Sequence, residues 1–70
     1  MDFSEALKLL KQGATLRRDS WSEDKRIELI PDKNSDLFLP YIRIITKDNK
    51  IGTYIATNCD ILADDWVLVE

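Results

Sequence analysis

Apolar residues fall at Phe3, Ala6, Leu7 and Leu10, the i, i+3, i+4, i+7 spacing that lines one side of a helix, and the pattern predicts a helix over residues 3 to 12. Asp2 stands three residues before Glu5, a capping-box arrangement at the start. Lys8 and Lys11 lie toward the C-terminal end, where the helix dipole favours cations, and Gly13 follows as a residue able to take the left-handed turn that closes a helix.

Beyond Gly13 the pattern turns β-branched and alternating. Thr15 to Arg18 reads as a short strand, and Asp19, Ser20 and Ser22 surround Trp21 with turn formers. Residues 25 to 30, KRIELI, alternate so that Ile27 and Leu29 share one face, and Pro31 to Asp36 is a polar loop. Pro40 confines the start of the next strand to an edge or a bulge. Tyr41 to Thr46 and Ile51 to Ala56 are two β-rich runs joined by Lys47, Asp48, Asn49 and Lys50, which makes an antiparallel hairpin. Thr57 with Asp60 repeats the capping pattern ahead of Ile61, Leu62 and Ala63, predicting a single helical turn, and Trp66 to Val69 closes the chain as a strand. The expected fold class is α+β, with one N-terminal amphipathic helix packed on a small, mostly antiparallel sheet and a short helical turn before the last strand. Residues 1 to 70 form one expected domain, without repeats or low-complexity segments.

Composition narrows the functional classes. With 44% hydrophobic and 33% charged residues, the chain is an ordinary soluble globular sequence. A 70-residue domain hides only about 60% of the surface its unfolded chain exposes, so its core is thin. Cys59 is the single cysteine and there is no histidine, which removes internal disulfides and a structural zinc site as remedies and leaves self-association. No stretch approaches the roughly 18 to 20 apolar residues of a membrane helix, and Asp2 and Glu5 stand where a signal peptide carries bases, so the expectation is a cytosolic protein. The formal net charge of −3 argues against direct nucleic-acid binding. All ten basic residues lie between Lys8 and Lys50, whereas residues 51 to 70 carry Asp60, Asp64, Asp65 and Glu70 and no base.

Catalytic constellations are weakly represented. Nucleophilic catalysis lacks its customary histidine base, and the negative charge of Asp60 beside Cys59 does nothing to activate it, so Cys59 reads as structural. Asp60, Asp64 and Asp65 offer two readings: a helical cap and a solvated corner, or an acid–base pair able to hold magnesium in a small hydrolase. Gly13 and Gly52 alone cannot build a phosphate loop. The expectation is a non-enzyme without cofactor or metal. Binding chemistry is better supplied, because Phe3, Trp21, Tyr54 and Trp66 can stack planar bases and Arg17, Arg18 and Arg26 can meet phosphates. In so small a protein Phe3, on the apolar helix face, and Trp66 read as core first, and Trp21 reads as core or surface alike. Adjacent Arg17 and Arg18 on a strand point to opposite faces, so at most one joins a given site.

The words FSEALKLLKQG, RRDSW and DILADDW together resemble the small phage-encoded family known as the second type of Thoeris anti-defence protein. The likeness covers residues 3 to 21 and 44 to 69 and leaves the middle unmatched. Ser20 stands where the family usually has glycine, Thr53, Tyr54 and Ala56 stand where it has a tryptophan flanked by prolines, and the middle segment is shorter than usual.

The resemblance implies a non-enzymatic sponge in the host bacterial cytoplasm, encoded by a phage or prophage. Such a protein is a homo-oligomer, a tetramer, that sequesters a cyclic ADP-ribose-type nucleotide, or a cyclic dinucleotide, so that the immune effector is not activated. By motif position it carries over Phe3, Trp21, Asp60 and Trp66 as site residues, in a recess between subunits. The implied division of labour is base stacking by the aromatic rings, Tyr54 included, hydroxyl recognition by Asp60 or Asn58, and pyrophosphate contact by Arg18 or Arg26. Two alternatives stand beside it: a protein-directed inhibitor whose acidic C-terminal surface mimics nucleic acid, and a family member that has lost its ligand.

Overall fold

A computed structural model of the chain describes residues 1–21, 24–30, 40–46 and 48–69. The expected polar loop from Pro31 to Asp36, and Lys47 of the expected hairpin turn, lie outside the described residues. The elements run α1 (Phe3–Lys11), β1 (Thr15–Arg18), β2 (Arg26–Ile30), β3 (Tyr41–Ile45), β4 (Ile51–Thr53), α2 (Asn58–Ile61) and β5 (Trp66–Leu68). This is the α+β arrangement the alternating and helical patterns predict. Four strands are shorter than expected, since β2 starts at Arg26 rather than Lys25, β3 ends at Ile45 rather than Thr46, β4 at Thr53 rather than Ala56 and β5 at Leu68 rather than Val69.

The helix ends are set by local chemistry. The Asp2 side chain accepts the Glu5 backbone N–H at 2.9 Å, satisfying one of the orphan donors of the first turn of α1. At the other end Gly13 takes φ of 97°, and the Gly13 and Ala14 N–H groups donate to Leu10 and Leu9 at 3.0 Å each. That pair of bonds is a Schellman closure, which requires the left-handed residue that glycine supplies.

All strand pairs are antiparallel and the sheet order is β4-β3-β2-β1-β5. The register fixes which side chains share a face, because directly paired residues point the same way and neighbours along a strand point oppositely. Leu16 pairs with Ile27 and Ile27 with Ile44, while Arg18 pairs with Trp66, so these five lie on one face. Helix α1 covers that face, adding Ala6 and Leu10 to Leu16, Ile27 and Trp66 in a core whose five members are all fully buried. Leu29 and Ile42, a further pair in the same register, pack against it. The face turned away from α1 carries Arg17, Arg26, Glu28, Arg43, Ile45 and Val67, with Arg43 hydrogen-bonded and ion-paired to its strand partner Glu28.

Candidate functional site

At the end of the covered face, where β1 leaves the sheet, four aromatic rings meet one polar network. Trp66 is the largest buried side chain, 0% exposed, and Phe3 of α1 leans on it with ring centroids 5.4 Å apart. Trp21 arrives from the turn after β1, which its backbone N–H closes onto the Arg18 carbonyl at 3.0 Å. Its indole meets Trp66 edge-on at 5.2 Å and Tyr54 at 6.1 Å, the tilted geometries that ring quadrupoles favour. Lys25, just ahead of β2, holds its Nζ 4.5 Å from the Trp21 ring centroid, a cation–π contact.

Asp60 is the hub beneath these rings. Its Oδ2 accepts the Tyr54 hydroxyl at 2.7 Å and its Oδ1 accepts Arg18 Nη1 at 3.0 Å. Its backbone N–H donates to Thr57 Oγ1 at 3.2 Å, and its carbonyl accepts Trp66 Nε1 at 3.0 Å. Every polar group of this buried residue is thereby partnered, which is the condition for a buried carboxylate to be stable. Arg18 extends the network, because its Nε donates to Asp65 Oδ1 at 2.8 Å. Asp65 in turn ties down the Trp21 turn, accepting the Asp19 N–H on its carbonyl at 2.9 Å and the Ser20 N–H on Oδ2 at 3.3 Å.

The electrostatics follow from these contacts. Burial alone would raise the Asp60 pKa, but the hydrogen bonds from Tyr54 and Arg18 outweigh it and hold the carboxyl below its ordinary value. The Arg18 bond does the same for Asp65, and the two carboxylates keep Arg18 more firmly protonated. Burial, reinforced by the negative acceptor Asp60, pushes the Tyr54 hydroxyl well above the usual phenol range. The network is therefore ionised at its acids and protonated at its phenol throughout the neutral range.

Of the residues expected at the site, Phe3, Arg18, Trp21, Tyr54, Asp60 and Trp66 come together. Arg26 does not: the sheet register turns it onto the face opposite Arg18, where its Nη1 donates to the Asp24 carbonyl at 3.0 Å. Asn58 stands exposed at the first position of α2, two residues before Asp60. Three expectations need correcting. Trp66 has no exposed face to stack a ligand and instead supports Trp21 from below. Thr57, not Asp60, caps α2 through its hydroxyl, and Asp60 is free to turn inward. Asp64 is exposed as a solvated corner should be, but Asp65 folds back onto Arg18. Asp65 and Lys25 are thus members of the cluster that periodicity did not single out. Among the described residues no three acidic or cysteine side chains converge at metal-ligating spacing, and no helix is long and apolar enough to cross a membrane.

The chain is similar to known proteins over its whole length. Residues 1–69 match the family profile Tad2-like, described as a Thoeris anti-defense 2-like domain. A curated protein named "Thoeris anti-defense 2", from Bacillus phage SP01, is 31% identical over an alignment of 85 positions that takes in all of this chain and 96% of the relative. That alignment is longer than the chain's 70 residues, so at least 15 of its positions are gaps in this chain.

Proposed function

This chain belongs to the Tad2-like family, and on that premise we propose that it counters Thoeris defence by binding a cyclic ADP-ribose-type signalling nucleotide and holding it unaltered. Sequestration keeps the signal from the Thoeris effector, and no bond in the ligand is made or broken. The observation that carries the reading is the pair of half-buried rings, Trp21 and Tyr54, fixed in a tilted arrangement over a fully partnered polar hub. A rigid aromatic platform stacks a purine at little entropic cost, since its side chains are already ordered. In this reading Trp21 and Tyr54 stack the base, Phe3 and Trp66 support them, and Asn58, exposed beside Asp60, meets ribose hydroxyls. Asp60 and Arg18 hold the platform in place. A cyclic dinucleotide offers the same bases and phosphates and is the second ligand class to test.

The protein works as a homo-oligomer, a tetramer, in the cytoplasm of the host cell, with its recess shared between subunits. Support for assembly comes from Ile51, Ile55 and Leu62, which stand 62%, 82% and 82% exposed on a single protomer. Apolar side chains so open to water are ordinary singly, but several on β4 and around α2 suit a subunit contact. The nucleic-acid mimic reading draws less from the structure, because Asp60 and Asp65 are both ion-paired to Arg18 rather than presented to a partner.

Calorimetry against a panel of cyclic ADP-ribose linkage isomers and cyclic dinucleotides, with the bound species re-extracted by heat, tests the proposal. Tight binding of one member, recovered intact and weakened about 10- to 100-fold by Trp21→Ala, is the expected result. Absence of binding across the panel, or recovery of a cleaved product, would overturn it.

A further inference from the structure

A nucleotide brings phosphates, and the cluster's obvious cation is poorly placed to receive them. Arg18 already directs Nε at Asp65 and Nη1 at Asp60, at 2.8 and 3.0 Å. One positive charge between two negative ones leaves an excess of one negative charge there, so a phosphate drawn to Arg18 meets two carboxylates at the same place. Arg26 is on the other side of the sheet.

Lys25 is differently disposed. It directly precedes Arg26, so strand alternation turns it to the Trp21 side, where its ammonium sits 4.5 Å from the ring centroid. An ammonium carries three N–H donors, and an aromatic face engages the charge without a directional acceptor for each of them. A base that takes this indole face moves the ammonium to its rim, and the four-carbon stem lets the freed donors follow the phosphate. Adding Lys25 also brings the summed charge of Arg18, Asp60, Asp65 and Lys25 to zero, removing the net repulsion of an anion.

We propose that Lys25 is the group that contacts the phosphates of a bound nucleotide, while Arg18 is a positioning residue that holds Asp60 and, through it, Tyr54. The inference rests on the nucleotide-binding reading of this site. Titration calorimetry of wild type, Lys25→Met and Lys25→Arg with the same cyclic ADP-ribose isomers, each at low and high salt, tests it. Lys25→Met is expected to weaken binding about 10- to 100-fold, the worth of one charge-assisted hydrogen bond, and to flatten its salt dependence. Lys25→Arg, which keeps the charge, should restore most of the affinity. Should Lys25→Met lose its fold, Lys25→Gln, which keeps polarity on a side chain one atom shorter, gives the same comparison. Wild-type binding with an unchanged affinity in the uncharged variant overturns the role of Lys25 alone. A weakened variant with the full salt dependence overturns it too, since that loss is structural. A wild type that binds no member of the panel overturns the nucleotide reading itself and this inference with it.

Discussion

The Tyr54 hydroxyl donates to Asp60 Oδ2 at 2.7 Å across the loop that links β4 to α2. Five residues lie between the two, the first three of them in no regular element, so this bond sets where the loop lies. It also couples an aromatic face on the surface to the carboxylate that α2 and Arg18 share.

Tyr54→Phe keeps the ring and removes the bond. Asp60 Oδ2 then loses its donor, and a loss of about 0.5–1.5 kcal/mol in urea unfolding at neutral pH is expected. The raised Tyr54 pKa adds a signature: its contribution is fully present below the ordinary phenol value of 10.0 and is lost as pH rises toward the higher folded value. In the wild type the ultraviolet absorbance of phenolate should show one of the two tyrosines resisting ionisation until the fold opens. Simultaneous ionisation of both in the folded protein would refute this.

Asp60 and Asp65 give the opposite sign. Both are held below the ordinary carboxylate value of 3.8, so their contribution is present above that pH and disappears as pH falls through the folded values. Thermal midpoints should therefore drop in acid below about pH 4. In Arg18→Met this acid limb should be shallower, because the main source of the Asp65 shift is gone. An equally steep limb in the variant would argue against the Arg18 network.

Arg18 is held by geometry as well as charge. Its Nε and Nη1 reach two different carboxylates, which the rigid guanidinium fork allows and a single ammonium does not. Arg18→Lys should thus recover less than half of the thermal midpoint lost in Arg18→Met. The triple change Arg18→Met, Asp60→Asn, Asp65→Asn should melt above Arg18→Met alone, since it removes the stranded pair of like charges. A triple variant no more stable than the single one would show that the carboxylates do not repel once Arg18 is gone.

Trp66→Ala removes the largest buried side chain, together with a hydrogen bond to Asp60, and should cost about 3–5 kcal/mol. In a domain of this size that is a large share of the total stability, and loss of the cooperative unfolding transition is the expected observation. Trp66→Phe refills part of the volume without the N–H and should fall between.

Leu62→Ser and Ile55→Ser test assembly. Each side chain is 82% exposed in the protomer, so neither should lower protomer stability by more than about 0.5 kcal/mol. Light scattering should nonetheless report a smaller particle if these residues lie at a subunit contact. Unchanged mass in both variants would move the contact to the sheet face that carries Arg17, Arg26 and Ile45.

Much of the fold is legible because single residues carry it. Asp2, Gly13, Thr57 and the alternation around Ile27 each specify a local conformation, and each does so here. The site was less legible because it depends on register. That Arg18 and Arg26 lie on opposite faces follows from Leu16 pairing with Ile27, and one step of slippage would have put both on one face. Asp65 lay hidden for a related reason: its role arises from Arg18 standing opposite Trp66, a contact 48 residues apart in the chain, which no local pattern records.

The edge-on contact of Trp21 and Trp66, at 5.2 Å, has an optical consequence. Two indoles this close share excitation, and Tyr54 at 6.1 Å from Trp21 passes its own to them. Light absorbed anywhere in the cluster is emitted by the group, so a molecule that touches Trp21 alone alters the emission of a residue sealed in the core. The protein carries an intrinsic fluorescent reporter at its candidate site, and binding can be followed without a label.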